Sequence, residues 1–425
     1  MTTALLVKNV TVIDGLGGTP LPAQDILIED GVFTSITPTG SVALPHTVNT
    51  AALTTISGTG TGTGMTVMPG FFDCHVHVST SPHSSTLESI TEPESAKTLR
   101  AVPALRATLD AGITTARDLA GADSGFRDAI ANGVIPGPQL QLAIRILSIT
   151  GGHGDWRTIG GTPLDTGPGA GAVGDSPADF LRLTREVIRE GADWIKVAAT
   201  GGMGSPRSSP EGGGLSEIEL RAVVEEANRH GIAGVAAHSI GTAGIAAAIR
   251  AGVRSIEHGY LISDESIQEM GERGTYLVPT LSTLTREASP TAAPWAIAKR
   301  ARTLGTARER VSAALAAGVN VALGTDAGIV EHGTNLRELA LLVEFGLTPM
   351  QAIVAGTSAA ARMCGIGDEA GTIEPGRRAD LVATALNPVT QIGALADAGA
   401  IQLVVQAGQV HLSTLAPETM ETEIL

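Results

Sequence analysis

Aromatic side chains are scarce: 3% of 425 residues, with only three Trp, two Tyr and six Phe. The 43% of residues that are hydrophobic must therefore build a core mainly from Ala, Val, Leu and Ile. Cysteine is nearly absent. The two present, Cys74 and Cys364, give neither a disulfide framework nor a CxxC metal pair. Cys74 reads as core packing, because strand alternation turns it away from its neighbours Asp73 and His75. Basic residues are outnumbered, 28 against 43 acidic, for a net charge of −15. That balance speaks against nucleic acid or an anionic membrane as a partner. It also means that an anionic substrate needs a local basic site. No apolar run reaches the length of a membrane span. No basic stretch leads into a long apolar one near residue 1, so the expected location is cytoplasmic. No GxGxxG follows an early strand, which argues against an open dinucleotide-binding sheet.

What is there alternates. The length allows one large domain and a smaller one. Residues 1–68 read as short strands, over 5–10, 25–29, 32–38 and 65–68, with Gly-rich turns between them and a Thr-Gly repeat at 59–64 that reads as exposed loop. The other end reads similarly, with a turn at 371–376, a strand at 379–384 and a hairpin over 401–406 and 409–412. Two strand-rich ends around one long middle are expected to join. In that middle, strands at 70–77, 113–118, 139–146, 193–199, 233–238, 253–258, 275–280 and 319–325 alternate with helices at 95–111, 123–132, 177–190, 216–230, 241–251, 263–273, 295–317 and 334–345. A further helix at 348–364 leads back. Eight such pairs are what a closed barrel requires. The expected fold is α/β: a (β/α)8 TIM-like barrel over 69–370, with a small β-sandwich domain built from both chain ends, 1–68 and 371–425. The Gly-rich segments 147–176 and 200–215 follow the third and fourth barrel strands and should lie over the active face.

Five of the barrel strands end in residues that can hold a metal: His75 and His77, Lys196, His238, His258 and Asp326. In a (β/α)8 barrel those ends converge on one face. His75 and His77 are two apart on a strand, so both rings point to one side. Each residue alone has an ordinary structural reading: a structural strand-end His, a snorkelling Lys, an Asp capping a helix. Together they read as a two-metal hydrolytic site. Lys196 sits in an apolar strand facing the cations, where desolvation and nearby positive charge lower its pKa. A free amine there can take up CO2, and the resulting carbamate has two anionic oxygens with which to bridge two ions.

The run Met68-Pro69-Gly70-Phe71-Phe72-Asp73-Cys74-His75-Val76-His77 resembles the PGxxDxHxH segment that opens the barrel of the amidohydrolase superfamily. Lys196, His238, His258 and Asp326 match that family's carboxylated Lys, its fifth- and sixth-strand His and its eighth-strand Asp. Residues 371–382, GTIEPGRRADLV, resemble its return to the β domain. Residues 150–154, 196–202, 238–239 and 257–260 are most similar to the Xaa-Pro dipeptidase and ochratoxin-hydrolysing members.

The resemblance implies two divalent metal ions, zinc by ligand type. His75, His77 and Asp326 would hold one and His238 and His258 the other, with carboxylated Lys196 as the bridge. It implies that Asp326 acts as general base and then general acid. His153, in the loop after the third strand, would contact the substrate's carboxylate or carbonyl. Tyr260 would offer its hydroxyl to the oxyanion, and Arg207 would meet a carboxylate. His230 reads as a helix cap; His83 and His332 are unassigned. The expected reaction is cleavage of the amide bond to a C-terminal amino acid: N-acyl amino acids, Xaa-Pro-like dipeptides, or aryl amides such as ochratoxin A. The expected partners are such a small amide or dipeptide and further copies of the chain in a homo-oligomer. Two rivals share the barrel. A deaminase or cyclic-imine hydrolase with one metal needs no bridging Lys; a cyclic-amide hydrolase is the alternative that differs in substrate. A scaffold without activity should lack several ligands, and none is missing.

Overall fold

The computed structural model describes residues 4–44, 53–58, 64–83, 92–157, 160–161, 171–204, 208–287, 294–415 and 420–422. Most of the 59–64 repeat, much of 158–170 and Arg207 lie outside them.

The two ends of the chain share one mixed sheet of nine strands. Its order runs Gln409–Ser413, Leu403–Gln406, Leu381–Thr384, Met65–Pro69, Ala4–Val12, Leu21–Glu29, Val32–Pro38. Leu53–Ser57 also pairs with Ala4–Val12, and Met420–Thr422 with Leu53–Ser57. The joint is antiparallel, Leu381 opposite Pro69 through Thr384 opposite Thr66. Leu5, Val7, Ile26, Phe33 and Val67 from one end and Ile373, Leu381, Leu403 and Val405 from the other form a single apolar core. One face of these short strands is buried in that shared core, while Met68, Val382 and Val404 on the other face join the core of the barrel, so burial holds the ends together and against the barrel.

The middle is the (β/α)8 barrel. Phe71–Val76 pairs in parallel with Ile113–Asp118, and that strand with Gln139–Leu142. A second run of parallel strands follows: Ile146–Ser148, Ile195–Ala198, Val235–Ser239, Ser255–His258, Tyr276–Val278 and Asn320–Val321. The third strand, expected as one piece over 139–146, is thus two. It breaks where Ile144 takes φ 62°. The first piece pairs backward and the second forward, and the N–H groups of Asp193 and Trp194 close the seam on the Leu142 carbonyl at 2.8 and 3.0 Å. The eighth strand is short for a similar reason. Past Val321 the chain swings across to the first strand: Cys74 N–H donates to the Leu323 carbonyl, Asp326 N–H to His75 and His77 N–H to Ala327, at 2.8, 2.7 and 2.7 Å.

Helices cover the barrel for ordinary reasons. In Pro177–Arg189, the Ser176 hydroxyl accepts from the Asp179 N–H and Pro177 occupies the first turn; Phe180, Leu183, Thr184 and Val187 are buried at helical spacing. The helix expected at 348–364 is split into Pro349–Ala355 and Ser358–Met363. Between the pieces, the Ala355 and Gly356 carbonyls accept from the N–H groups of Leu323 and Phe72 at 2.9 and 2.8 Å, bonds a continuous helix would forbid. The second piece packs Ala360, Met363 and Cys364 against Phe72, Cys74, Trp194, Ala236 and Ala322, closing the barrel's N-terminal end. Cys74 is core, as expected, but a register shift between Asp73 and Val76 breaks strict alternation, and its Sγ lies 3.9 Å from that of Cys364. Among the described residues no helix is long and apolar enough to cross a membrane.

Candidate metal centre and active site

The C-terminal strand ends bring His75, His77, Lys196, His238, His258 and Asp326 to one face. His75, His258 and Asp326 place ligand atoms within 4.8 Å of one another. Asp326 Oδ1 is 3.3 Å from His77 Nε2 and 3.6 Å from His75 Nε2. Two donors each about 2.0–2.1 Å from a tetrahedral zinc lie about 3.3 Å apart, so this spacing suits a shared ion. The rings of His75 and His258 are 5.1 Å apart, and those of His238 and His258 4.7 Å.

Hydrogen bonds decide which nitrogen of each imidazole is left for a metal. His77 Nδ1 donates to the Ala120 carbonyl at 2.9 Å, and His238 Nε2 to the Gly201 carbonyl at 3.2 Å. A carbonyl can only accept, so His77 Nε2 and His238 Nδ1 keep their lone pairs. His75 Nδ1 donates to Glu257 Oε2 at 2.8 Å. His258 Nδ1 is engaged by Thr280 Oγ1 at 2.7 Å. Each ring thus leaves its second nitrogen to the site. Burial holds His75 and His238 well below the usual histidine range, and lowers His258 to about 4. Neutral rings are the ligating form. His77 differs: burial works against its charge, but contact with Asp326 outweighs it and raises its pKa. Burial alone would raise the Asp326 carboxyl, but His75, His77 and His258 hold it well below the carboxylate range.

Lys196 is 2% exposed, and its Nζ has no hydrogen-bond partner. Burial lowers its pKa to about 8. An orphaned buried amine is expensive unless something absent from the protein atoms completes it. A carboxylated side chain bound by cations fits that gap, as do the four free imidazole nitrogens beside it.

Three residues at the site take left-handed backbone without being Gly: His258 at φ 72°, Thr280 at φ 47° and Asp326 at φ 64°. Such strain costs on the order of 1–3 kcal/mol each and persists only where surroundings impose it. Gly324 has no room for a side chain: a Cβ there would lie 2.9 Å from the Cβ of His75. That close approach lets the eighth strand deliver Asp326 beside the first.

His153 reaches the site from its loop. Its ring stacks on His238 at 4.1 Å between centroids, its Nδ1 is buried without a partner, and burial lowers its pKa to about 4. Gly202 makes space for it, since a Cβ there would meet the ring at 2.2 Å. Tyr260 is buried beside His258, but its hydroxyl is engaged. It lies 3.1 Å from the Thr280 carbonyl and 2.9 Å from Thr280 Oγ1. One consistent arrangement has His258 donating to the Thr280 hydroxyl, that hydroxyl to Tyr260, and Tyr260 to the carbonyl. The hydroxyl expected at the oxyanion is spent on Thr280, and Tyr260 holds the residue that holds His258. His230 caps its helix, 3.0 Å from Glu226 Oε1. His83 pairs with Glu331 at the surface.

Several supporting residues escaped the reading of the sequence. Glu257 binds His75 through Oε2 and accepts from Arg117 Nη2 at 2.8 Å through Oε1. Arg117 also donates to the Cys74 carbonyl at 2.6 Å and lies over the Trp194 ring at 4.4 Å. A Glu inside an apolar strand was a signal, since such groups are rarely buried unpaired. Asp73 accepts from Thr325 and from Asn335 Nδ2, tying the first strand to the eighth; burial raises it to about 6. His332 Nε2 donates to the His77 carbonyl at 3.3 Å.

The model of the amidohydrolase family matches residues 66–411. The chain belongs to the amidohydrolase family. Among curated relatives of this amidohydrolase, ochratoxinase of Aspergillus niger is 33% identical over 366 residues, covering 81% of this chain and 75% of that one. The crystal structure of A. niger ochratoxinase matches with TM-score 0.85 and 28% identity over 100% of both chains. A Xaa-Pro dipeptidase with bound methionine matches with TM-score 0.86 and 29% identity, over 96% of this chain and 100% of that one. A prolidase complexed with N-methylphosphonate-L-proline matches with TM-score 0.86 and 32% identity, over 97% and 100%. This amidohydrolase is a metal-dependent hydrolase of amide bonds.

Proposed function

We propose that the protein cleaves the amide bond to a C-terminal amino acid, using two divalent ions held as described above. Its substrates are N-acyl amino acids, Xaa-Pro-like dipeptides and aryl amides such as ochratoxin A, which would give ochratoxin alpha and phenylalanine. The observation that carries the binuclear reading is the Lys196 amine, buried without a hydrogen-bond partner and near enough to His75, His238 and His258 for its charge to act on each. The relatives named for dipeptides and ochratoxin support the substrate class.

His75, His77 and Asp326 would hold one ion, zinc by ligand type, and His238 and His258 the other, with Lys196 bridging as its carbamate. Lys196 adds its nitrogen to CO2 and releases one proton. When bound, the ions supply a lowered pKa for the attacking water and polarise the scissile carbonyl. The residues do the rest. Asp326, held ionised by the surrounding histidines, takes the proton of the attacking water and returns it to the leaving amine. His153, whose ring stacks on His238, would meet the oxygen that becomes negative. Glu257 fixes the ring of His75, and Tyr260 acts on His258 through Thr280.

Metal analysis of purified protein tests the site, and a screen of N-acyl amino acids and dipeptides tests the substrate. About two equivalents of metal support the proposal. About one favours the deaminase or cyclic-imine hydrolase, and none the inactive scaffold.

A further inference from the structure

The substrate proposed above ends in a carboxylate, and the protein carries a net charge of −15. Something near the metal ligands must receive that charge. The helix Pro294–Ala316 runs beside the mouth of the barrel. Lys299 Nζ donates to the carbonyls of Gly202 and Ser208, at 3.2 and 2.8 Å, in the loop whose Gly201 carbonyl holds His238. The next residue, Arg300, reaches the other way. Its Nη2 donates to the Leu284 carbonyl at 2.7 Å and to the Arg286 carbonyl. That segment follows Thr280, which holds His258 and Tyr260. It is also pinned to the eighth strand, where Thr283 Oγ1 donates at 3.1 Å to the carbonyl of Thr325, the residue before Asp326.

Two guanidinium groups therefore attach to the segment that borders the site. Neither forms an ion pair with a carboxylate of the described residues, and Arg286 Nε is buried with no hydrogen-bond partner. Burial and then the charge of Arg286 lower the pKa of Arg300, and Tyr260 is near enough to act on it as well. Like charges brought together, part-buried and without a counter-ion are unfavourable until an anion joins them. The planar fork of Arg suits a carboxylate, which accepts two parallel N–H bonds.

We propose that Arg286 and Arg300 form the subsite for the substrate's α-carboxylate, and so set the preference for amides that end in a free acid. This rests on the amide-hydrolase reading above. The five bonds that shape the wall, two each from Lys299 and Arg300 and one from Thr283, put the subsite between the seventh-strand segment and the helix.

The test compares an N-acyl-L-phenylalanine with its C-terminal carboxamide on metal-loaded enzyme. In the wild type the acid should be preferred. Arg286→Gln and Arg300→Gln should each lower the acid-to-amide ratio of kcat/KM about 10- to 100-fold, the range of a lost charged hydrogen bond, with the change carried by KM for the acid. Arg300→Lys, which keeps the charge and loses the fork, should fall between. Arg286→Gln breaks no side-chain hydrogen bond among the described residues, so it remains informative if Arg300→Gln misfolds. A discriminating wild type whose Arg286 and Arg300 variants keep its ratio overturns this inference and leaves the amide-hydrolase reading standing. Equal loss on acid and amide also overturns it, since it marks a structural role. A wild type that treats acid and amide alike overturns the carboxylate-terminated substrate itself, and the subsite with it.

Discussion

Replacing Lys196 with methionine should make the metal-free protein more stable while removing metal and activity. The side chain is 2% exposed and its Nζ has no partner, so Met can fill nearly the same volume without burying a polar group. Burial lowers the lysine pKa from 10.5 to about 8. Each unit is worth about 1.4 kcal/mol, so a protonated Lys196 in the metal-free fold costs about 3 kcal/mol. The sign follows from linkage. The folded protein binds this proton less tightly than the unfolded chain. The penalty is therefore complete below about pH 8 and fades as pH rises toward 10.5. Denaturant unfolding of the two metal-free proteins at pH 7 should show Lys196→Met ahead by about 3 kcal/mol, with the advantage shrinking by pH 10. Metal content of the unstripped variant should be near zero, because both ions lose a shared ligand. A variant less stable than wild type at pH 7 would mean that the amine has a partner in the metal-free fold. A variant that keeps its metal would end the bridging role.

Three further outcomes follow from the same geometry. Asp326→Asn keeps the shape and removes the proton acceptor, so kcat should fall by several orders of magnitude with binding partly kept; unchanged kcat in steady-state assays refutes the assignment. Glu257→Gln weakens the hold on His75 Nδ1 and leaves Arg117 short of a counter-charge, so metal affinity should drop about 10- to 100-fold, and a competition titration with a chelator showing wild-type affinity would contradict it. Deleting the last ~40 residues removes the partner of Leu381–Thr384 and leaves its apolar edge open, so the protein should be insoluble on expression; a soluble, active truncation would show that the two ends do not depend on each other.

The barrel and the joining of its two ends were legible along the chain, and so were the six residues proposed as metal ligands. The reason is period and position. A buried parallel strand is a short apolar run, and each of His238, His258, Lys196 and Asp326 has an ordinary reading at its end; their recurrence at the ends of successive strands is what marks them out together. Relations between residues far apart in the chain emerge only once the barrel closes. Nothing local in Ile144 announces that the third strand breaks, since the break serves two different neighbours. The split after Ala355 exists because barrel strands claim its carbonyl and that of Gly356. Tyr260 was read as a free donor, yet Thr280, twenty residues on, takes its hydroxyl. The free nitrogen of each histidine depends on Glu257, Ala120, Gly201 or Thr280, none of them next to it except Glu257 beside His258, and Glu257 serves His75 instead. Strand ends can be read from composition along the chain. The direction in which an imidazole presents its lone pair is set by whichever acceptor the closed barrel brings to its other side.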